Sequence, residues 1–445
     1  MAFVPSTNNE VNEMLQKIGV QNFDELIKDI PEHARVKELD INSEMSEFEA
    51  LKYVESIAKK NTTTSNFVSF LGGGIYDHYI PAIVSSVLER PEFKTAYTPY
   101  QAEVSQGTLQ AMYEFQTMIC RLTDMDISNA SLYDAGTGLA EAFFMAHAHT
   151  KKTKFLIAGT INPLYLQTTK SLTDGRQLTF EVFAKADGTA DIEGLRDAMN
   201  DEIAGVVVQN PNFLGNLEDV FEIEKIAHSK NALYISIFNP ISLALLVPPG
   251  QYNADIALGE GQPLGIPTSF GGPILGLFTC KESLVRLLPG RIAGLTIDRD
   301  GNRAFTLTLQ TREQQIKREK ATSNICTNQG LIMLAATVYL ETMGKQGLLD
   351  VANQSFQKAH YLANQIISIP GFSLLNDKPF FNEFAIRCPV DVCEIRAAAE
   401  EKGFFAGINL KKYTDFDGLL IAVTEKRTKA ELDAFVDILK QFEQQ

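Results

Sequence analysis

Four short apolar runs, spaced a helix apart, limit what this chain can fold into. Residues 155–158 read as a short apolar strand and 178–183 alternate as a half-exposed strand does. Residues 203–209 form a buried β-branched run, and 233–238 form another strand. Helical patterns lie over 191–199 and over 218–230, where Val220, Phe221, Ile223 and Ala227 turn inward. Strand–helix–strand at this spacing demands a parallel sheet, because parallel neighbours need a crossover connection. Ligands in such sheets sit beyond the carboxyl ends of the strands. Asn210 and Asn239 follow two strand ends, so both are expected to face the cleft. The most membrane-like stretch, 232–248, is broken by Asn239-Pro240 and falls short of the ~20 apolar residues a spanning helix needs. It reads as buried strand, turn and further core.

The pattern changes on either side. Over 43–60, Phe48, Leu51, Val54 and Ala58 recur at three- and four-residue steps, the stripe of an amphipathic helix, before the poor helix formers of 61–65. Such a stripe packs on its own domain or clasps a partner chain. From about Gly330, helices are expected over 331–343, 352–367 and 391–402, and strands over 384–387, 407–410 and 419–423. Thr428 with Glu431 forms a capping box for a last helix. The expected organisation is a helical arm over 1–65, a large α/β domain over 66–330 and a small α+β domain over 331–445.

Composition narrows the partners. Acidic residues outnumber basic ones 55 to 40, a formal charge of −15 with no basic block, so nucleic acid is not expected. The five cysteines form no CxxC pair, which suits a reduced compartment. Met1-Ala2-Phe3-Val4-Pro5 leads into polar residues rather than a secretory apolar core. A cytoplasmic protein without membrane association is expected.

Three clusters could carry chemistry. In 95–101, two tyrosines, Tyr97 and Tyr100, flank a stiff Thr98-Pro99 turn, with Gln101, Glu103 and Gln106 close behind. That suits a loop lining a site. In 131–142, Gly136-Thr137-Gly138 runs into a helix, which offers N–H groups and a hydroxyl to an anion; a glycine-rich loop closing a strand onto a helix is an equal alternative. In 311–329, Arg312, Lys317, Arg318 and Lys320 read as a solvated helix face ahead of Thr322-Ser323-Asn324, a loop presented to a ligand or partner. The glycine run 72–74 fits neither GxGxxG nor the Walker pattern and reads as a tight loop lining a cleft. His147 and His149 sit at i and i+2 and so point to different helix faces, a poor metal pair. No HExxH or GxSxG occurs. Only His78, beside the glycine loop, invites a test of catalysis.

Four segments together, FLGGGIYDHYIP (70–81), PEFKTAYTPYQAEVSQGTLQ (91–110), NASLYDAG (129–136) and EKATSNICTNQ (319–329), resemble the glycine dehydrogenase (decarboxylating) family, the P-proteins of the glycine cleavage system. The likeness spans nearly the whole chain and is strongest to the α chains of the two-subunit bacterial form. It implies a fold-type I, aminotransferase-like architecture, pyridoxal 5'-phosphate chemistry and an α2β2 assembly.

The resemblance also implies a lysine that holds the cofactor as a Schiff base and an acid near its pyridine nitrogen. Where the family's catalytic half carries His-Lys, the run 255–263 ends in Gln262-Pro263, and no lysine occurs between Lys230 and Lys281. At the end of 236–240, Asn239 stands where a carboxylate is wanted. The implied function is that of an α subunit with no catalytic residue of its own. The β subunit holds the cofactor covalently, glycine loses its carboxylate as CO2, and the aminomethyl group passes to the lipoyl arm of the H-protein. The T-protein and L-protein are the system's other members. Tyr97, Thr98 and Tyr100 on one loop, and Thr322, Ser323 and Asn324 on another, are then the candidates to complete the β pocket. Gly136-Thr137 would be the relic of a phosphate cradle. The alternatives are an inert scaffold that only stabilises the β subunit, and a stand-alone enzyme of another class, such as a transferase of activated sugars.

Overall fold

A computed structural model describes residues 6–36, 40–41 and 45–443. Met1–Pro5, and Ser43 at the start of the expected amphipathic helix, lie outside the described residues. The chain divides into two units, Met1–Thr62 and Thr63–Gln445. In the first, helices Asn8–Ile18 and Glu47–Ala58 each open on a capping box, Thr7 with Glu10 and Ser46 with Glu49. The expected stripe is present, and Phe48, Leu51 and Val54 are each more than half exposed. Among the described residues no helix is long and apolar enough to cross a membrane.

The second unit begins with β1 (Val68–Ser69). Its centre is a seven-stranded sheet of β2 (Ile127–Ser128), β3 (Lys154–Ala158), β4 (Thr179–Phe183), β5 (Ile203–Asn210), β6 (Leu233–Phe238), β7 (Ile256–Glu260) and β8 (Gly276–Cys280). The order is β2-β8-β7-β6-β5-β3-β4. Strands β4, β3, β5, β6 and β7 pair in parallel; β8 runs antiparallel to β7. This is the doubly covered sheet that the spacing demands. β6 is buried throughout, which is why it reads as a largely apolar run. One core packs Leu109, Phe115, Val206 and Tyr234 together; the other packs Phe143, Phe155, Val207 and Ile235.

An antiparallel hairpin follows, β9 (Ile292–Ile297) with β10 (Arg303–Thr308). Helix Gln106–Thr123 grips it with two buried or half-buried amides. Gln116 donates to the Ala293 carbonyl at 3.0 Å and accepts its N–H at 2.9 Å. Gln106 does the same with Phe305, at 2.8 and 2.9 Å. Each side chain thus stands in for a neighbouring strand. Residues 311–329 do not form the expected solvated helix. Only Gln314–Lys317 and short 3₁₀ turns are helical there. Arg312 turns inward and donates to the carbonyls of Leu288, Gly290 and Leu309.

Helix Gly330–Ile367 joins the two helices expected at its ends, broken only where Gly344 takes φ 57°. Beyond it stand β11 (Ser373–Leu374), β12 (Glu383–Arg387), β13 (Phe404–Phe405), β14 (Ile408–Asn409) and β15 (Leu419–Ala422), of which four make the antiparallel sheet β11-β12-β15-β14. Gly215, at φ +89°, lets the turn after β5 press onto β12; a Cβ there would fall 1.9 Å from the Glu383 carbonyl oxygen.

A strap over residues 68–80 ties the sheets together. β1 pairs in parallel with β13, and Phe70 packs between Phe404 and Phe435. His78 is buried, with Nδ1 2.6 Å from Glu425 Oε2, so it fastens the strap. Asp77 accepts from Lys426 Nζ and from Arg427 Nη2 at 2.8 Å each, and Arg427 is only 3% exposed. Removing one partner of a buried ion pair leaves the other charge uncompensated. Asp77→Ala should therefore cost about 3–5 kcal/mol, measured as a lowered midpoint in urea unfolding, with a smaller loss for Asp77→Asn.

Candidate functional site

The cleft lies where such sheets place it, at the carboxyl ends of β5, β6 and β7. Helix Ala135–Thr150 aims its N-terminus there. Asp134 caps it, with Oδ1 accepting from the Thr137 N–H at 2.7 Å and from the Thr137 hydroxyl at 3.1 Å. The Ala135 N–H donates to Glu260 Oε2 at 3.2 Å. Two protein carboxyl groups thus take the Ala135 and Thr137 N–H groups on either side of Gly136. Glu260 also accepts from the Gln262 and Leu275 N–H groups at 3.1 Å each.

Gln262 is 1% exposed and fully engaged. Its Oε1 accepts from the Tyr76 N–H at 2.8 Å, and its Nε2 donates to the carbonyls of Tyr76 at 3.0 Å and Ile266 at 2.7 Å. Opposite, Glu383 accepts from the Gly73 N–H at 2.7 Å and from the Tyr76 hydroxyl at 2.9 Å. The glycine run therefore lines the cleft as a tight loop. A cavity of about 30 Å³ remains, bounded by Gly74, Tyr165, Asn239, Pro240, Glu260 and Pro263. That holds a water or two, against the roughly 300 Å³ or more typical of a ligand site. Pyridoxal phosphate does not fit: its volume is taken, its phosphate would meet Asp134 and Glu260, and Pro263 offers no amine. Asn239 faces this cavity as expected. Asn210 does not; its side chain accepts from the Glu218 N–H at 3.0 Å.

The remaining expected residues lie elsewhere. Tyr97 and Thr98 line a second cavity of about 320 Å³, together with Arg291, Thr327 and Asn328. Tyr97 is 83% exposed. The Tyr100 hydroxyl donates to Gln315 Oε1 at 3.1 Å and accepts from Arg291 at 3.4 Å. The 322–329 loop reaches this cavity only through Thr327 and Asn328; Thr322 and Ser323 border a separate small cavity with Arg312. The Thr322 carbonyl accepts from Arg176 at 3.2 Å, the Ser323 hydroxyl from the Ile325 N–H at 3.0 Å, and Asn324 is exposed. Asn328 then donates to the Ala130 carbonyl at 2.7 Å. The structure thus brings the tyrosine loop to the end of the 322–329 loop, and leaves Gly136 and Thr137 in the closed cleft.

Glu141, Glu260, Arg291 and Glu383 were missed by the sequence reading. Lone buried charges carry no local pattern; Glu141, in the 131–142 cluster, and Glu260, two residues before Gln262, lay within segments already singled out, but nothing there marked them. Burial pushes the Glu141 carboxyl up to about 7 against the pull of the Ser323 hydroxyl and Arg176. Burial likewise pushes Glu260 up to about 8 and Glu383 up to about 7, although each accepts hydrogen bonds that favour the charged form. The folded chain therefore binds more protons than the unfolded chain between about pH 5 and 8, and stability falls as pH rises through that window. Thermal unfolding followed from pH 5 to 8 should show this decline, and Glu260→Gln, which mimics the protonated carboxyl, should make it shallower, leaving the share of Glu141 and Glu383.

Comparison with known proteins follows the same lines. The chain matches the family described as glycine cleavage system P-protein over residues 1–439. It is 54% identical to the "Probable glycine dehydrogenase (decarboxylating) subunit 1" of Chlorobium phaeobacteroides, over 99% of each chain. Among solved structures it resembles a glycine decarboxylase (P-protein) of the glycine cleavage system in inhibitor-bound form, at 38% identity and a TM-score of 0.88, covering 99% of this chain and 100% of that one. A glutamate decarboxylase of Lactobacillus brevis, 12% identical with a TM-score of 0.69 over 92% and 95% of the two chains, shares the fold alone. The architecture is that of fold-type I pyridoxal phosphate-dependent enzymes, and the chain belongs to the glycine cleavage system P-protein family.

Proposed function

We propose that this chain is the α subunit, subunit 1, of a two-chain glycine dehydrogenase (decarboxylating), active only with a β subunit. The closed cradle carries this reading. Asp134 and Glu260 take the N–H groups a phosphate would use, and Gln262-Pro263 stand where an amine is required. A chain of this family closed in this way works through its partner. The β subunit would hold pyridoxal 5'-phosphate, which when bound supplies the electron sink for the loss of CO2 from glycine. The proposal is completed by an α2β2 assembly, by the lipoylated H-protein as acceptor of the aminomethyl group, and by the T-protein and L-protein as members of the same system.

The task of this chain is to line, orient and exclude water. Tyr97 and Thr98 offer hydroxyls on a turn that Pro99 stiffens, so little entropy is lost when they engage across an interface. Arg291 and Gln315 hold Tyr100 in place. Thr322 and Asn324 present a hydroxyl and an amide on the neighbouring loop, while the Ser323 hydroxyl, engaged with Glu141 and the Ile325 N–H, fixes its shape. Excluding water from the β pocket strengthens each electrostatic contact within it.

Purified alone and treated with borohydride, the chain should show no pyridoxyl-lysine by mass spectrometry. With its matched β chain it should scatter light as α2β2 and carry the cofactor's visible absorbance. Leaving one buried polar group unpaired costs about 1–3 kcal/mol, roughly one to two orders of magnitude in rate. Tyr97→Phe and Thr322→Ala should each lower turnover of the complex by about that much with its mass unchanged. Arg299→Ala, at a side chain 95% exposed, should do neither. Full turnover in both loop variants, in an intact complex, would make this chain a scaffold.

A further inference from the structure

One charge in the second cavity is unbalanced. Arg291 is 3% exposed, yet its guanidinium meets only neutral acceptors. Nη1 donates to Asn328 Oδ1 at 3.2 Å, Nη2 to the Cys326 carbonyl at 2.9 Å and to the Tyr100 hydroxyl at 3.4 Å, and Nε has no partner. Glu313 feels its charge, but no ion pair joins them among the described residues. Lys94, the other cation lining the cavity, is bound to Glu89. A buried guanidinium without a counter-ion is costly to keep. Here it borders a space of about 320 Å³, at the lower end of small-molecule sites, with Met112, Leu331 and Met333 as apolar wall.

Nε is the guanidinium donor left without an acceptor, and a guanidinium N–H makes a strong, charge-assisted hydrogen bond to a carboxylate oxygen. A single uncompensated charge suits a monoanion better than a phosphate dianion, and the dry wall strengthens the attraction. We propose that this cavity is a carboxylate-binding site anchored by Arg291, and that its ligand is the carboxylate of the amino-acid substrate of the complex. The substrate assignment rests on the reading above, in which the Tyr97–Tyr100 loop faces the partner's pocket. An ion pair that grips the substrate's carboxylate as well in the transition state as in the ground state is uniform binding. Arg291 therefore captures substrate and sets KM, without raising kcat.

The test uses the full chain and its complex with the β subunit. In thermal unfolding at matched ionic strength, sodium acetate and glycine should raise the midpoint of the wild-type chain saturably, and sodium chloride should not. Arg291→Gln should abolish the shift, and Arg291→Lys, which keeps the charge but not the fork, should retain part of it. In the complex, Arg291→Gln should raise KM for glycine at least tenfold, a larger factor than any fall in kcat that a loosened Tyr100 brings. If Arg291→Gln does not fold, Asn328→Ala and Thr98→Val border the same cavity and should weaken the acetate shift. No acetate shift in the wild type, or an equal one in Arg291→Gln, overturns the site. Phosphate binding more tightly than acetate overturns the choice of carboxylate. An abolished acetate shift with unchanged KM overturns the substrate assignment. Failure of the loop-completion reading looks different: full turnover in the Tyr97→Phe complex, with the acetate shift intact.

Discussion

The buried carboxyl of Glu260 sets the character of the cleft. It gathers three backbone N–H groups: Ala135 at the helix N-terminus, Gln262 just beyond β7, and Leu275 just before β8. Each would otherwise lose its acceptor away from water, so the carboxyl fixes the meeting of helix and sheet. The same arrangement uses up the polarity that a helix N-terminus would offer to an anion. Gln262 extends the joint to the strap, and Glu383 meets the strap from the other sheet. The cleft is thus a structural knot, and open space with unspent charge lies at the tyrosine loop.

The two cavities show this division. The cleft keeps about 30 Å³ among carboxyls that burial drives toward the neutral form. The second has about ten times the room and a cation facing only neutral acceptors. A sealed joint can be rigid because nothing must enter it, whereas a lining surface must leave some polar capacity unsatisfied until its ligand or partner arrives. Tyr97, 83% exposed on a turn stiffened by proline, has that property.

The parallel sheet was legible because strands buried on both faces are written as largely apolar runs, as in β5 and β6. The capping box at Thr428 was legible because its chemistry is local. Errors arose where the decisive partner is distant in sequence. Asn210 was expected in the cleft, but the Glu218 N–H claims its side chain. Arg312 was read as part of a solvated face, but carbonyls near 288–290 draw it in. Gln106 looked like part of a polar site and instead completes the hydrogen bonding of Phe305. Of the candidate site, the tyrosine loop stood out by its composition, and the absent lysine was legible only through the family resemblance. Glu260 and Arg291 were not legible, because a lone charge reveals its role only through what surrounds it.

The helix Glu47–Ala58 carries Phe48, Leu51 and Val54 into solvent at helical spacing. An apolar ridge of this kind is adhesive toward any similar surface, and its self-association rises with concentration. Synthesis in excess of whatever covers that ridge would send the surplus into aggregates or to proteases. The dose of this chain is then a physical variable in its own right, set by how much of the ridge stays wet.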